Sequence, residues 1–232
     1  RFAVNAGKQL LESLTVDNIS AGWDKFGKKT NAVATLTSQG FDIETVEKQL
    51  ERLNFFTDET SYNFTDMVAE ISKFTASGQG LEDSVTAMEG IASWAALSGQ
   101  NAATASRAMY QLSQAMGSGT MRMQDWRSVQ NANMDTAEFR QKALDAAVAL
   151  GTLKKNADGT YRRLVADVKD GDFTIEQFTS HLTEDAWFTS DVMMAVYKDY
   201  GKAANTIQLY MEKYSDDIST ASEAMENIED KA

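Results

Sequence analysis

His181 is the only histidine in the 232-residue chain, and cysteine is absent. A protein zinc site draws on three or four His, Cys or carboxylate ligands, and a Ser-His relay needs a base beside its nucleophile. One histidine on a helical stretch reads as surface or as satisfied packing. Two short runs echo calcium loops, "NADG" at 156–159 and "DGDFTIEQF" at 170–178. The first has Lys154 where the leading carboxylate belongs and Val165 in place of the closing Glu. The second has Phe173 at the position that requires glycine. Neither spacing supplies six or more oxygen ligands, so each reads as a turn. Asp216 and Asp217 are adjacent and project in different directions on a helix, as a solvated pair does. No glycine-rich phosphate loop follows a strand. Trp23, Trp94, Trp126 and Trp187 sit on or beside apolar stripes and are expected in the core. The sequence therefore names no catalytic, cofactor-binding or metal-binding residue, and no enzyme is expected.

Composition narrows the partners. Lys plus Arg number 22 against 34 Asp plus Glu, a formal net charge of −12. That balance opposes direct nucleic-acid binding, which needs a basic face against phosphates, and equally opposes docking on anionic lipid. No stretch approaches the roughly 18 apolar residues of a membrane span. The chain begins "RFAVNAGKQLLESL", with neither an initiator Met nor a signal-peptide core, and is expected to be an interior piece of a longer protein. Proline is absent, where average usage of about 5% predicts roughly a dozen. Helix content alone accounts for that, because proline removes a backbone donor and clashes with the preceding turn. A sharper reading is a chain that must refold quickly, free of slow X-Pro isomerisation.

Apolar residues recur at spacings of three and four along almost the whole chain. Ile19, Trp23, Phe26, Val33 and Leu36 mark one helix; Ile43, Val46, Leu50 and Leu53 mark the next, capped by Asp42. In "LNFFTDETSYNFTDM", 53–67, the polar stop Thr57, Asp58, Thr60 and Ser61 separates Phe55 and Phe56 from Tyr62 and Phe64. These aromatics are expected to cover a bend where two helices pack. "SGQ" at 77–79 and again at 98–100, with "SG" at 118–119, punctuates helices at 81–97 and 101–116, the second capped by Asn101. Met123, Trp126 and Val129 form a short stripe. Asp135 and Glu138 have capping-box spacing ahead of a helix that Gly151 ends. "TLKKNADGTYR", 152–162, flanks an Asp-Gly and predicts a small hairpin. Thr174 and Gln177 repeat the capping-box spacing before a helix through Leu182. Residues 85–116 are rich in Ala, Gly and Ser, a composition that also lets helices approach in lipid, but Glu89, Gln100, Asn101 and Arg107 interrupt them.

The most regular pattern closes the chain. From Met193, Tyr197 and Tyr200 to Met225 and Ile228, apolar positions alternate steps of four and three over about five heptads. At about 1.5 Å per residue, a helix of that length is a rod of roughly 55 Å. The seam reads either as a coiled coil or as amphipathic helices lying on the body. Gly201 interrupts it at a cost of about 1 kcal/mol. Glu226, Glu229 and Asp230 oppose a helix C-terminal dipole, so the helix is expected to continue past Ala232.

Several ordered stretches resemble a known family: "LNFFTDETSYNFTDM", "KFTASGQGLEDSVTAMEGIASWAALSGQNAATASRAMYQLSQAMGSG", "DWRSVQNANMDTAEF" and "WFTSDVM". Together, across roughly residues 19–200, they are similar to the tape-measure domain of tail tape-measure proteins of long-tailed bacteriophages and related tail-like particles. The resemblance implies a structural virion protein. It would occupy the tail tube during assembly, set tube length, and leave as DNA is ejected. It also implies tube, baseplate or distal tail proteins and assembly chaperones as partners. The location would be the tube lumen or distal tip, after the host cytoplasm during assembly. The fold expected is all-α: a compact bundle of short antiparallel helices with one small β-hairpin and a C-terminal heptad-patterned helix. Residues 1–190 form the body and 191–232 an extension, with self-association through 193–228. Two other classes stay open: a membrane-active helical module of an ejection conduit, with membrane contact after ejection, and a soluble adaptor or accessory domain of a lytic enzyme.

Overall fold

The computed structural model describes residues 23–58, 64–100, 102–164, 171–182 and 187–203. Within them the chain forms helices α1 (Trp23–Ser38), α2 (Ile43–Asp58), α3 (Phe64–Ala76), α4 (Leu81–Leu97), α5 (Ala102–Ser118), α6 (Met123–Asn131) and α7 (Ala137–Ala149). A hairpin of β1 (Leu153–Lys155) and β2 (Tyr161–Arg163) follows, then two 3-10 turns, Ile175–Gln177 and Thr179–His181. Helix α8, 190–203, completes the described chain. The architecture is the expected all-α bundle with one small hairpin.

The stop and start signals act locally as the sequence implies. The Asp42 carboxylate accepts from Thr45 N at 2.8 Å and caps α2. Gly78 and Gly99, the glycines of the two "SGQ" runs, have φ of +91° and +75°, a left-handed turn that other residues enter at a cost. The hairpin register pairs Leu153 with Arg163, Lys154 with Arg162 and Lys155 with Tyr161. Across β2, Tyr161 also bridges to Phe173 through two backbone bonds of 2.8 and 3.0 Å.

α3 lies centrally, packed on α1, α2, α4 and α5; α6 rests on α5, and β1 on α7. The core runs through every helix, from Val33 and Leu50 through Ile71, Ile91 and Leu112 to Val192. Trp94, Trp126 and Trp187 are fully buried, as their stripes imply. Each indole N–H finds an acceptor: Met134 O, Thr179 Oγ1 and His181 O respectively. That satisfies the one polar atom each large ring takes out of water.

Four expectations change. The α7 cap is Thr136, whose hydroxyl accepts from Phe139 N at 3.2 Å, rather than Asp135. The Asp135 carboxylate instead accepts from Arg140 Nε and Nη2 at 2.6 and 2.7 Å, a bidentate charged pair stronger than a cap bond. Gln177 does bond back to Thr174 N, but 3-10 turns follow in place of a helix through Leu182. Phe55 is 50% exposed while Phe56 is buried, so only one of that pair covers the bend. Gly201 lies inside α8 as a contact point, not as an interruption, as shown below. The Asn101 cap, the stop at Thr60 and Ser61, the acidic pair at 216–217 and the seam beyond residue 203 lie outside the described residues.

Candidate functional site: the seat of the last helix

The residues singled out for chemistry are separated by use. His181 stacks on Phe173 with ring centroids 4.7 Å apart, and its Nδ1 lies 3.0 Å from Gln177 O. It is satisfied packing. The two calcium-loop echoes meet in space. Asn156 Nδ2 donates to Asp172 at 2.7 Å, and Arg162 grips the same carboxylate at 2.7 and 2.9 Å. Those bonds hold the Asp172 carboxyl below its usual range, Arg162 contributing most. Asp158 is lowered likewise, chiefly by the Thr160 hydroxyl. The oxygens that a cation would use are thus spent on the hairpin and its neighbour. Among the described residues no cluster of three or more His, Cys, Asp or Glu is arranged to hold a metal.

The most specific construction lies where α8 enters the body. A Cβ on Gly90 would stand 1.8 Å from the Tyr197 carbonyl oxygen, and one on Gly201 would stand 2.1 Å from that of Thr86. Real side chains do not fit at such distances, so α4 and α8 touch backbone to backbone. This contact sets Tyr197 and Tyr200 against the largest aromatic cluster. Trp94 stacks on Phe139 at 3.9 Å, and both tyrosine rings lie within 6.3 Å of Trp94. Phe74 of α3 completes the wall at 6.5 Å from Tyr197. Burial pushes both phenols above their ordinary range, so each remains neutral.

Polar contacts frame this seat. Lys198 pairs with Asp83 at 2.6 Å, Lys142 pairs with Asp199, and Gln79 donates to Asp191 at 3.0 Å. Beneath it, Glu89 is 1% exposed and takes the Arg52 guanidinium at 2.6 Å. Arg52 also donates to the hydroxyl of Thr86, the residue under Gly201. A line of contacts therefore runs from α2 through α4 to α8. A separate open groove of about 570 Å³ between α3, α5 and α6 is lined by Asp66, Glu70, Arg107 and Tyr110. Sequence reasoning missed the Gly90–Gly201 contact. Its available signal was a glycine inside an otherwise unbroken helix, which pays for itself only through packing.

The family model for tape measure proteins matches residues 22–228. The chain belongs to the tape measure protein family. Comparison with curated proteins and with solved structures found no match. This tape-measure chain is thereby a phage tail component, of a structural family rather than an enzyme family. The match covers the helical body, all of α8 and the whole seam from Met193 to Ile228. Met193, Tyr197 and Tyr200, the first three seam residues, are buried within the tape-measure body itself. No helix among the described residues is long and apolar enough to cross a membrane.

Proposed function

We propose that this chain is a folded anchor within the tail tape measure, and that the heptad seam leaving it belongs to the length-setting part. During assembly the measure stands in the tube, its extended part determines how many rings stack, and it departs when DNA is ejected. The body contacts tube, baseplate or distal tail proteins and is escorted by assembly chaperones. Fully helical and extended, 232 residues would reach about 350 Å. Packed as a body, they have a radius of gyration of roughly 17 Å. A compact body contributes little length, so a ruler needs its extended part fixed firmly to something. The observation that carries this reading is the seating of α8. The seam begins inside the core and is held there by the Gly90–Gly201 contact.

Electron microscopy of tails tests it. Inserting several heptads between Ala203 and Ala204 should lengthen tails by about 10 Å per heptad on average, seven residues at 1.5 Å each, taken up as whole added rings. Substitutions that destabilise the body should lower tail yield without changing length. Tails of unchanged length after several inserted heptads would contradict the reading.

A further inference from the structure

The tip of the hairpin joins an aspartate to a glycine, Asp158–Gly159, within "NADGTYR" at 156–162. Residues 157–159 are exposed, and a Cβ placed on Gly159 would meet nothing within 4 Å. An aspartate followed by glycine can react with its own backbone, because no side chain shields the next amide nitrogen. That nitrogen bonds to the side-chain Cγ and gives up its proton. The bond from Cγ to the carboxyl hydroxyl breaks, one water leaves, and a succinimide ring closes. Water then adds to the backbone carbonyl of the ring and opens it, so the chain continues through the side chain as isoaspartate. One water is lost and one is regained. No oxidant, reductant or cofactor is needed, and the mass does not change.

Both reacting groups are engaged in the closed loop. Gly159 N donates to Asn156 O at 3.1 Å, with Gly159 at a left-handed φ of +86°. Asp158 Oδ1 accepts from Thr160 N at 3.0 Å and from the Thr160 hydroxyl at 2.6 Å. The hydroxyl bond favours the ionised carboxylate, whereas ring closure uses the protonated acid, whose hydroxyl can leave as water. Asn156 fixes Thr160 in turn. Its backbone N donates to Thr160 O at 2.8 Å, and its Nδ2 donates to Thr160 Oγ1 at 2.9 Å and to Asp172 at 2.7 Å.

We propose that Asp158 is a gated modification site, kept as aspartate by the closed hairpin and converted to isoaspartate when the loop opens. The gate works in one direction. Isoaspartate places an extra methylene in the backbone between residues 158 and 159, and hairpin register is fixed by the geometry of its turn. The bonds from Asn156 N to Thr160 O and from Gly159 N to Asn156 O then no longer fit one loop. A hairpin modified while open does not close again in the same register. The gate lies apart from the seat of α8 and from any length-setting role.

The test incubates the full chain at one fixed pH, folded or in urea, and then digests it with trypsin. Cleavage after Lys155 and Arg162 releases the peptide 156–162, whose isoaspartyl form separates by liquid chromatography. Isoaspartate should accumulate about ten-fold or more faster in urea, since local opening is rare in the folded chain. Thr160→Val removes the hydroxyl but keeps the backbone donor, and should raise the rate in the folded chain. Thr160→Ser should restore the slow rate. Hydrogen exchange at the Asn156 amide reports loop opening independently, and across these variants it should rise and fall with isoaspartate formation. Equal rates in the folded and urea-unfolded chain would overturn the proposal, as would no isoaspartate in either. So would a Thr160→Val loop that opens more often yet modifies no faster.

Discussion

Gly90 and Gly201 meet where no side chain fits: each would-be Cβ falls 1.8 to 2.1 Å from a carbonyl oxygen of the opposing helix. The contact predicts a reversal of the usual rule. In an exposed helix Gly→Ala stabilises by about 1 kcal/mol. Here Gly90→Ala or Gly201→Ala should destabilise by about 1–3 kcal/mol through overpacking. Urea midpoints decide the sign, and a higher midpoint for either variant would mean that α8 does not lie on α4.

The aromatic cluster separates two residues that look alike in sequence. Trp94 is 1% exposed and stacked on Phe139, so Trp94→Ala should cost about 3–5 kcal/mol. Phe55 is half exposed, and Phe55→Ala should cost about 1 kcal/mol or less. Chemical denaturation of the two variants side by side gives the comparison.

Glu89 is buried against a partly exposed Arg52. Arg52→Ala removes the guanidinium from that buried carboxylate and should cost about 3 kcal/mol. The double variant Arg52→Met, Glu89→Met removes both charges and should lose less. A double-mutant cycle measures the difference. Equal losses in the two variants would show that the ion pair is not what joins α2 to α4.

How far these features were legible in the sequence follows from the range of the forces involved. Helix positions, the Asp42 cap, the "SGQ" stops and the Asp-Gly hairpin are decided within a few residues, and they came out as read. The α7 cap moved by one residue because Arg140, five positions on, competes for Asp135. The helix expected through Leu182 gave way to 3-10 turns beside the Trp187 and Phe173 packing, a tertiary effect. The seat of α8 depends on Gly90 meeting Gly201, 111 positions apart. No local pattern states such a pairing; only the presence of glycine within each helix hints at it.

The hairpin should be acid-labile. Asp172 and Asp158 have carboxyls below the ordinary value of 3.8, held there by Arg162 and Thr160. A carboxylate depressed in the folded state contributes stability above its unfolded value. That contribution is lost as pH falls through the lower folded value. Protection of the Lys155 and Tyr161 amides, measured against the intrinsic exchange rate at each pH, should therefore fall below about pH 3.8. Asp172→Asn should flatten that dependence.

Refolding should lack a slow isomerisation phase. With no proline in the chain, the tens-of-seconds step of X-Pro bonds has no source. Double-jump stopped-flow experiments should give the same refolding traces after short and long unfolding delays. A slow phase growing with the delay would count against rapid refolding.

Small-angle X-ray scattering, extrapolated to zero concentration, bears most directly on whether this part of the tape measure is a folded body. The helical packing around Trp94 predicts a compact core with a radius of gyration near that of a globular chain this size, about 17 Å, raised modestly by the seam. A rod profile approaching the roughly 350 Å length of a continuous helix would contradict it.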